Sequence, residues 1–462
     1  MRGLRDARGL PGAAPRLPGD LRRAQAHAAD QGGPPLSTAP AAAAAFDVAA
    51  VRALYPALAR EIGGKRLVYL DSACTALKSA RVAERLSDFY ANWGGCGGKR
   101  STHLLSQQVE DWFQEARRAA ASFLNAETPN EIVFTSGTTE AANMVCGGFP
   151  FDSGRRKVLI TDLEHNAVAL PFIEKARRGE IDLEICPTEN GILDLDRLSN
   201  HLDDKTALLA ITHASNVMGG VVPVAEAAKL ARRKGIKVFV DDAQYLGTHR
   251  EDVSTLGADF VAFSAHKLGG PFGVGVLWGH ETELNRLGTW KLGGGTVKSV
   301  SWDLKSAPEP AYLDAPGRFE AGVQNFGGAI GLHEALKVRE SLPAGPLRAH
   351  VGGLARRLAE GLESIDAVRV LGRTEDLEKG SLVTFAAVHP DFSPVDFNLY
   401  LNHELNGAFI AIRVGEHCAH LQHRRLGVDA TARASLGAYN TAAEVDAFLD
   451  AARAYAKEAC GG

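Results

Sequence analysis

Phe260-Val261-Ala262-Phe263-Ser264-Ala265-His266-Lys267 decides how this chain is read. Four apolar residues stop abruptly at polar ones, a lysine closes the stretch, and Gly269-Gly270-Pro271-Phe272-Gly273 follows. An uninterrupted apolar run suits a strand buried on both faces rather than one with a wet side. A lysine at the end of such a strand can serve as a carbonyl-binding amine. Alone, it is more ordinarily a surface lysine in a loop, so its neighbours must decide.

Similar runs lie on either side: Val158-Leu159-Ile160, Leu208-Leu209-Ala210-Ile211, Val238-Phe239-Val240 and Val274-Gly275-Val276-Leu277. Helical stretches separate them. Residues 223–234, for example, carry a proline near the start, basic residues in the last turn and Gly235 as a stop. Buried strands alternating with helices predict an α/β fold, a mostly parallel sheet flanked by helices. Four strands end in polar residues: Thr161-Asp162-Leu163-Glu164-His165, Thr212-His213-Ala214-Ser215-Asn216, Asp241-Asp242-Ala243-Gln244 and Ser264-Ala265-His266-Lys267. Ligands of open α/β sheets bind beyond the carboxyl ends of the strands, so these four ends describe the rim of one site.

The residue types assemble into a site for pyridoxal 5'-phosphate. Lys267 would form the imine, and Asp241 would face the pyridine nitrogen and keep it protonated. Gln244 and Asn216 would reach the ring hydroxyl, and His165 would stack on the ring and move protons. Gly137-Thr138-Thr139, opening a helix after the run Ile132-Val133-Phe134, offers backbone donors to a phosphate, with Ser264 and His266 adding side-chain donors. Each feature has a plainer reading. Ser-Gly-Thr-Thr is ordinarily an N-cap, a strand-end aspartate a cap, a lone histidine a loop residue; His103 and His213 keep that reading. The ordered conjunction, each feature after a strand, favours the cofactor.

Beyond residue 330 the pattern changes. Helices over 346–362 and 394–405, strands over 381–388 and 409–413, and a last helix opened by the capping box Thr441-x-x-Glu444 predict a smaller α+β domain. The expected organisation is a disordered tail over 1–45, an N-terminal segment and large domain over 46–330, and a small domain over 331–462. The tail is rich in Ala, Pro, Gly and Arg, and has too little apolar surface to offset its ordering entropy. The 462 residues, 45% apolar with a net charge of −4, give no electrostatic case for nucleic acid or an acidic membrane surface. No apolar run approaches the ~20 residues of a spanning helix. Six scattered cysteines with no C-x-x-C pair argue against a zinc site or disulfide framework and suit a reducing cytoplasm.

Order and spacing of these motifs resemble the class V aminotransferase superfamily, a branch of the fold-type-I pyridoxal phosphate transferases. Within it they are most similar to the second group of cysteine desulfurases, which includes selenocysteine lyases. The resemblance rests on Tyr69-Leu70-Asp71-Ser72-Ala73, the stretches already quoted, Arg318-Phe319-Glu320-Ala321-Gly322 with Asn325, Arg413-x-Gly415-x-His417-Cys418-Ala419, and Arg433-Ala434-Ser435-Leu436. It implies a cysteine desulfurase that converts L-cysteine (or L-selenocysteine) to L-alanine. Sulfur would be held as a persulfide on Cys418 and passed to an acceptor protein that feeds iron–sulfur cluster assembly. By the same resemblance Lys267 is the Schiff-base lysine, Thr138, Thr139, Ser264 and His266 hold the phosphate, and Asp241, Gln244, Asn216 and His165 contact the ring. Arg433 pairs with the substrate carboxylate, and Thr296 completes the phosphate site of a neighbouring subunit in a homodimer. Cys74, where the family has a small apolar residue, reads as structural. Asp242, Glu416, His420 and Val323-Gln324 depart from the family pattern, and Asp242 would place an extra carboxylate near the ring. A selenocysteine lyase, carbon–sulfur lyase, epimerase, aminotransferase or non-enzymatic cofactor-binding scaffold stands as the alternative; Cys418 favours the desulfurase, since a transaminase has no use for a thiol there.

Overall fold

The computed structural model describes residues 46–98 and 102–461. The tail expected over 1–45 lies outside the described residues. In chain order the elements used below are β1 (Lys65–Tyr69), α1 (Leu104–Leu124), β2 (Ile132–Thr135), α2 (Thr138–Gly148), β3 (Lys157–Thr161), α3 (Asn166–Arg177), β4 (Asp182–Cys186), β5 (Thr206–Thr212), α4 (Val224–Arg233), β6 (Lys237–Asp241), β7 (Phe260–Ser264) and β8 (Gly275–Gly279). There follow a hairpin of β9 (Val297–Ser301) and β10 (Glu309–Tyr312), then α5 (Phe326–Ser341), α6 (Ala344–Glu363), β11 (Val368–Leu371), β12 (Leu382–Ala387), β13 (Ala408–Ala411), β14 (Arg413–Gly415), β15 (Thr431–Ser435) and α7 (Ala442–Cys460).

The runs of apolar residues build a seven-stranded sheet of order β2-β8-β7-β6-β5-β3-β4. β3 to β7 are mutually parallel, and β8 runs antiparallel between β2 and β7. Every residue of β2, β3, β5, β7 and β8 is buried, as unbroken apolar runs require. β4, at the edge opposite β2, is the exception: it is largely unburied, and its sequence Asp-Leu-Glu-Ile-Cys carries no apolar run. Because β8 reverses twice against its neighbours, β2 points the same way as β3, β5, β6 and β7. The ends of five strands, and the start of α2 behind β2, therefore open on one rim.

The second sheet, β11-β12-β15-β14, is antiparallel throughout. Its core joins α6 and α7 through Leu354, Leu358, Phe385, Phe397 and Phe448, and also takes Val51, Tyr55, Val68 and Leu70 from the chain's beginning. The join is made by backbone. β13 pairs in parallel with β1, and one residue later β14 pairs with β15, so the strand expected over 409–413 is two short strands that change sheets at Ile412. Asp71, just past β1, bridges Ser435 at the end of β15. Some boundaries shift for local reasons. Pro223 sits at the N-cap of α4 instead of inside it. α6 starts at Ala344 with Pro343 as its N-cap, so that Pro346, expected to open the helix, lies in its first turn. The helix expected over 394–405 gives way after Leu399 to a wider turn, Tyr400–Glu404. His103 caps α1, its Nδ1 accepting the Ser106 N–H at 3.1 Å, and the capping box at Thr441 and Glu444 forms as expected.

One buried ion pair ties the large sheet to the chain beyond the hairpin. Arg117 on α1 makes two 2.8 Å bonds to the Glu320 carboxylate, whose Oε1 also accepts the Phe134 N–H at 2.8 Å. Both side chains are nearly out of solvent, so removing one partner strands the other's charge. Glu320→Ala is expected to lower unfolding free energy by about 3 kcal/mol, read by urea denaturation; a variant as stable as the parent would contradict this role.

Candidate active site

Where β3, β5, β6 and β7 end, a cavity of about 240 Å³ opens, and its floor and walls carry Lys267, Asp241, His165, Cys418 and Arg433. Of the residues singled out from the sequence, Thr138, Thr139, Asn216, Gln244, Ser264 and His266 also line it. Thr296 does not; it is buried beside the hairpin, its hydroxyl donating to the Gly293 carbonyl at 2.8 Å.

Lys267 stands in a one-turn helix after β7. Burial drives its pKa below the ordinary lysine value, Asp241 opposes the shift, and Arg433 adds to it. Asp241, the last residue of β6, is 4% exposed. Burial raises its pKa against the pull of Lys267; one oxygen accepts the Ala243 N–H at 2.9 Å. His165 caps α3, and its Nδ1 accepts the Ala167 N–H at 3.0 Å. Burial, with the charges of Lys267 and Arg433, pushes its pKa down to about 4. The ring is thus neutral near pH 7, with its proton on Nε2.

The start of α2 has no capping side chain; Gly137 occupies the cap. Ser264 Oγ accepts the Thr138 N–H at 2.9 Å and lies 3.0 Å from the Thr138 hydroxyl. A Cβ on Gly137 would come within 3.1 Å of that same Ser264 oxygen, so glycine keeps the cradle open. Nearby, His266 Nδ1 is buried without a hydrogen-bond partner. An uncapped helix start ringed by hydroxyls, with an orphaned imidazole nitrogen, fits a phosphate group. A buried aspartate opposed only by a lysine fits a cationic ring nitrogen. These residues fit pyridoxal phosphate.

The C-terminal sheet supplies the opposite wall. Arg433 on β15 is 3% exposed and its Nε has no partner. Its Nη1 donates to the Asn216 carbonyl at 2.9 Å, and Asp71, its counter-charge, is 3.7 Å away. Burial lowers even this guanidinium's pKa to about 10. Cys418 follows β14 in a loop where His417 and Cys418 both hold positive φ, +50° and +54°. Two consecutive side-chain-bearing residues in the left-handed region need outside support. The Asn216 amide donates to the His417 carbonyl at 2.6 Å, and the Asn166 N–H donates to the Cys418 carbonyl at 2.8 Å. Two departures from the family pattern join that support: Glu416 and His420 pair at 2.6 Å, and His420 Nδ1 lies 2.8 Å from the Asn166 amide.

Two readings of the sequence need correction. Asp242 does not line the cavity. One residue past β6, Asp242 still donates its N–H to the Ala262 carbonyl at 2.9 Å and so keeps the strand's alternation. Its side chain turns from Asp241 to His213, 2.9 Å away, with Glu251 on the same His213 nitrogen at 2.8 Å. Burial alone would lower the His213 pKa; the two carboxylates outweigh it and raise it to about 9. Cys74 is not a packed structural residue. It lines the cavity, and Arg413 Nη2 lies 2.6 Å from its sulfur and 2.7 Å from Asp71. Arg413 itself was quoted only as part of a motif; nothing in sequence spacing joins it to Cys74, more than 300 residues away.

The sequence profile of the aminotransferase class-V family matches residues 68–448. A probable cysteine desulfurase of Mycolicibacterium paratuberculosis is 36% identical over 416 residues, 89% of this chain; the chain spans 58% of that relative's length. A cysteine desulfurase of Escherichia coli O8 is 37% identical over 410 residues, 87% of this chain and 96% of the relative. Among solved structures, an Escherichia coli cysteine desulfurase in an S-sulfonic acid form superposes with a TM-score of 0.79 at 33% identity, over 89% of this chain and 99% of that one.

Glu164 beneath the site gives a pH test. It is fully buried, one oxygen accepting the Thr161 hydroxyl at 2.7 Å and the other unpartnered. Burial raises its pKa to about 8 from 4.5. The folded state keeps a proton that the unfolded chain has lost, so this contribution is complete below pH 4.5 and disappears as pH rises through 8. Glu164→Gln is expected to remove roughly 4 kcal/mol of the stability loss between pH 5 and 8. Unfolding curves at both pH values measure it; an unchanged pH dependence would refute it.

Proposed function

The chain belongs to the aminotransferase class-V family, and from that premise we propose that it is a pyridoxal phosphate-dependent cysteine desulfurase. It takes sulfur from L-cysteine, leaves L-alanine and holds the sulfur as a persulfide on Cys418. The observation that carries this reading is the shared cavity of Lys267, Arg433 and Cys418: an amine for the cofactor, a guanidinium for the substrate carboxylate and a nucleophile for its sulfur.

In this reading Thr138, Thr139, Ser264 and His266 hold the cofactor phosphate, Asp241 faces the pyridine nitrogen, and Gln244, Asn216 and His165 contact the ring. When bound, the cofactor supplies an electron sink that lets bonds at the substrate Cα and then at Cβ break. Lys267, its ammonium destabilised by burial, has the free amine needed to remove the Cα proton. The neutral His165 ring offers its Nε2 proton to a neighbouring heteroatom without adding charge. Arg433, with Nε unpartnered, accepts the substrate carboxylate in a forked pair and fixes its orientation. The Cys418 thiolate attacks the substrate sulfur; the new S–S bond forms as the C–S bond breaks.

Cys418 is exposed, which suits delivery of sulfur to an acceptor protein. A homodimer is part of the same reading. Trp290, Leu292, Val300, Trp302 and Leu304 expose apolar surface around the hairpin that follows Thr296, and in this reading a second copy covers it, with Thr296 assigned to the neighbour's phosphate site. Among the described residues no helix is long and apolar enough to cross a membrane. Six free cysteines suit a reducing cytoplasm.

Purified holoenzyme given cysteine should form alanine, and Cys418→Ala should form it at least ~100-fold more slowly; a variant as fast as the parent would remove Cys418 from the reaction. Lys267→Ala should lose both turnover and the visible absorbance of lysine-linked cofactor. Arg433→Lys keeps charge but loses the fork, and should raise KM for cysteine by about tenfold or more; an unchanged KM would sink the carboxylate assignment.

A further inference from the structure

Two cysteines, not one, line the candidate active-site cavity. Cys146 and Cys186 are buried in the cores on either side of the large sheet. Cys96 lines a different cavity, and Cys460 packs at the end of α7. Only Cys74 shares the space of Lys267 and Cys418. Resting on the reading above, we propose that Cys74 is a second sulfur carrier, which takes the outer sulfur from the Cys418 persulfide within the same chain.

The position of Cys74 is built rather than incidental. It sits in the turn after β1, where Ala73 is held on both sides: its N–H donates to Ser435 Oγ at 2.9 Å and its carbonyl accepts from the Gln244 amide at 2.9 Å. Those bonds tie the turn to both sheets at the cavity. Cys74 is partly exposed at the cavity wall. Its sulfur is within 2.6 Å of Arg413 Nη2, and Asp71 fixes that guanidinium at 2.7 Å. Arg413 opens β14, the strand that leads into the Cys418 loop. Both cysteines line the cavity that also holds the cations Lys267 and Arg433. The second of these, deeply buried, keeps an unpartnered Nε at the same cavity.

The chemistry balances without an added oxidant. The Cys74 sulfur attacks the outer sulfur of the Cys418 persulfide; one S–S bond forms and one breaks. Cys418 leaves as the thiolate and takes up the proton that Cys74 gives up. Cys418 is then free for a second substrate before any acceptor protein has arrived, and the chain stores two sulfur atoms instead of one.

The test uses holoenzyme and cysteine in small molar excess, the substrate being the only thiol present. Samples are alkylated at intervals, and persulfides are located by peptide mass spectrometry while alanine is counted. The parent should show persulfide first on Cys418 and then on Cys74, with an alanine burst about twofold larger than that of Cys74→Ser or Cys74→Ala. Each variant should carry persulfide on Cys418 alone, and a cofactor spectrum matching the parent's confirms that it is folded. Cys418→Ala should load neither site. Persulfide confined to Cys418 in the parent, with equal bursts in all three, overturns the carrier role, as does a Cys74–Cys418 disulfide with sulfide released. Absence of both alanine and persulfide in the parent would instead overturn the desulfurase reading itself.

Discussion

The site depends on an amine removed from water. Lys267 is buried at the end of a central strand with one carboxylate, Asp241, as its counter-charge and one guanidinium, Arg433, opposing it. A cation in such a place gives up its proton more readily than in solvent, and that is the property an imine-forming base needs. The arrangement follows from the sheet. β6 and β7 are adjacent and parallel, so the residues at and just past their carboxyl ends meet at one edge. Reversing either strand would send one of the pair to the far side of the molecule.

The second sheet supplies what the first cannot. Parallel strands with buried faces offer a rim, and the other wall has to come from elsewhere. β14 and β15 bring it, with Arg433 on one and the Cys418 loop at the end of the other. The loop's two left-handed residues are held from the large sheet's side by the Asn166 backbone N–H, at the start of α3, and the Asn216 side-chain amide, past β5. The Glu416–His420 pair lies on the same loop. The two residues that look anomalous against the family pattern are therefore partners of one another, and His420 in turn contacts Asn166.

Much of this was legible in the sequence because burial leaves a strong mark. Strands hidden on both faces must be apolar throughout, and their polar ends then stand out; Lys267, Asp241, His165 and Asn216 were found that way, and the cavity contains all four. β4 and the hairpin carry no apolar run to read, because their side chains are largely exposed, whereas β2, also at an edge, is buried and apolar. Asp242 was misjudged although the two-residue period of a strand was available to place it opposite Asp241. Cys74 was different in kind. Its neighbour Arg413 arrives through the parallel pairing of β1 with β13, a contact between the two ends of the chain that no local pattern announces.

The central claim is that sulfur leaves cysteine for a protein thiol while the carbon skeleton leaves as alanine. A single reaction decides it: holoenzyme with excess L-cysteine, no added thiol, and both alanine and pyruvate followed in time. The account predicts a burst of alanine that ends when the carrier thiols of each chain are filled, a slow phase sustained only by the substrate's own thiol, and acceleration when dithiothreitol is added. Pyruvate in place of alanine, or an alanine time course that dithiothreitol leaves unchanged, would contradict it.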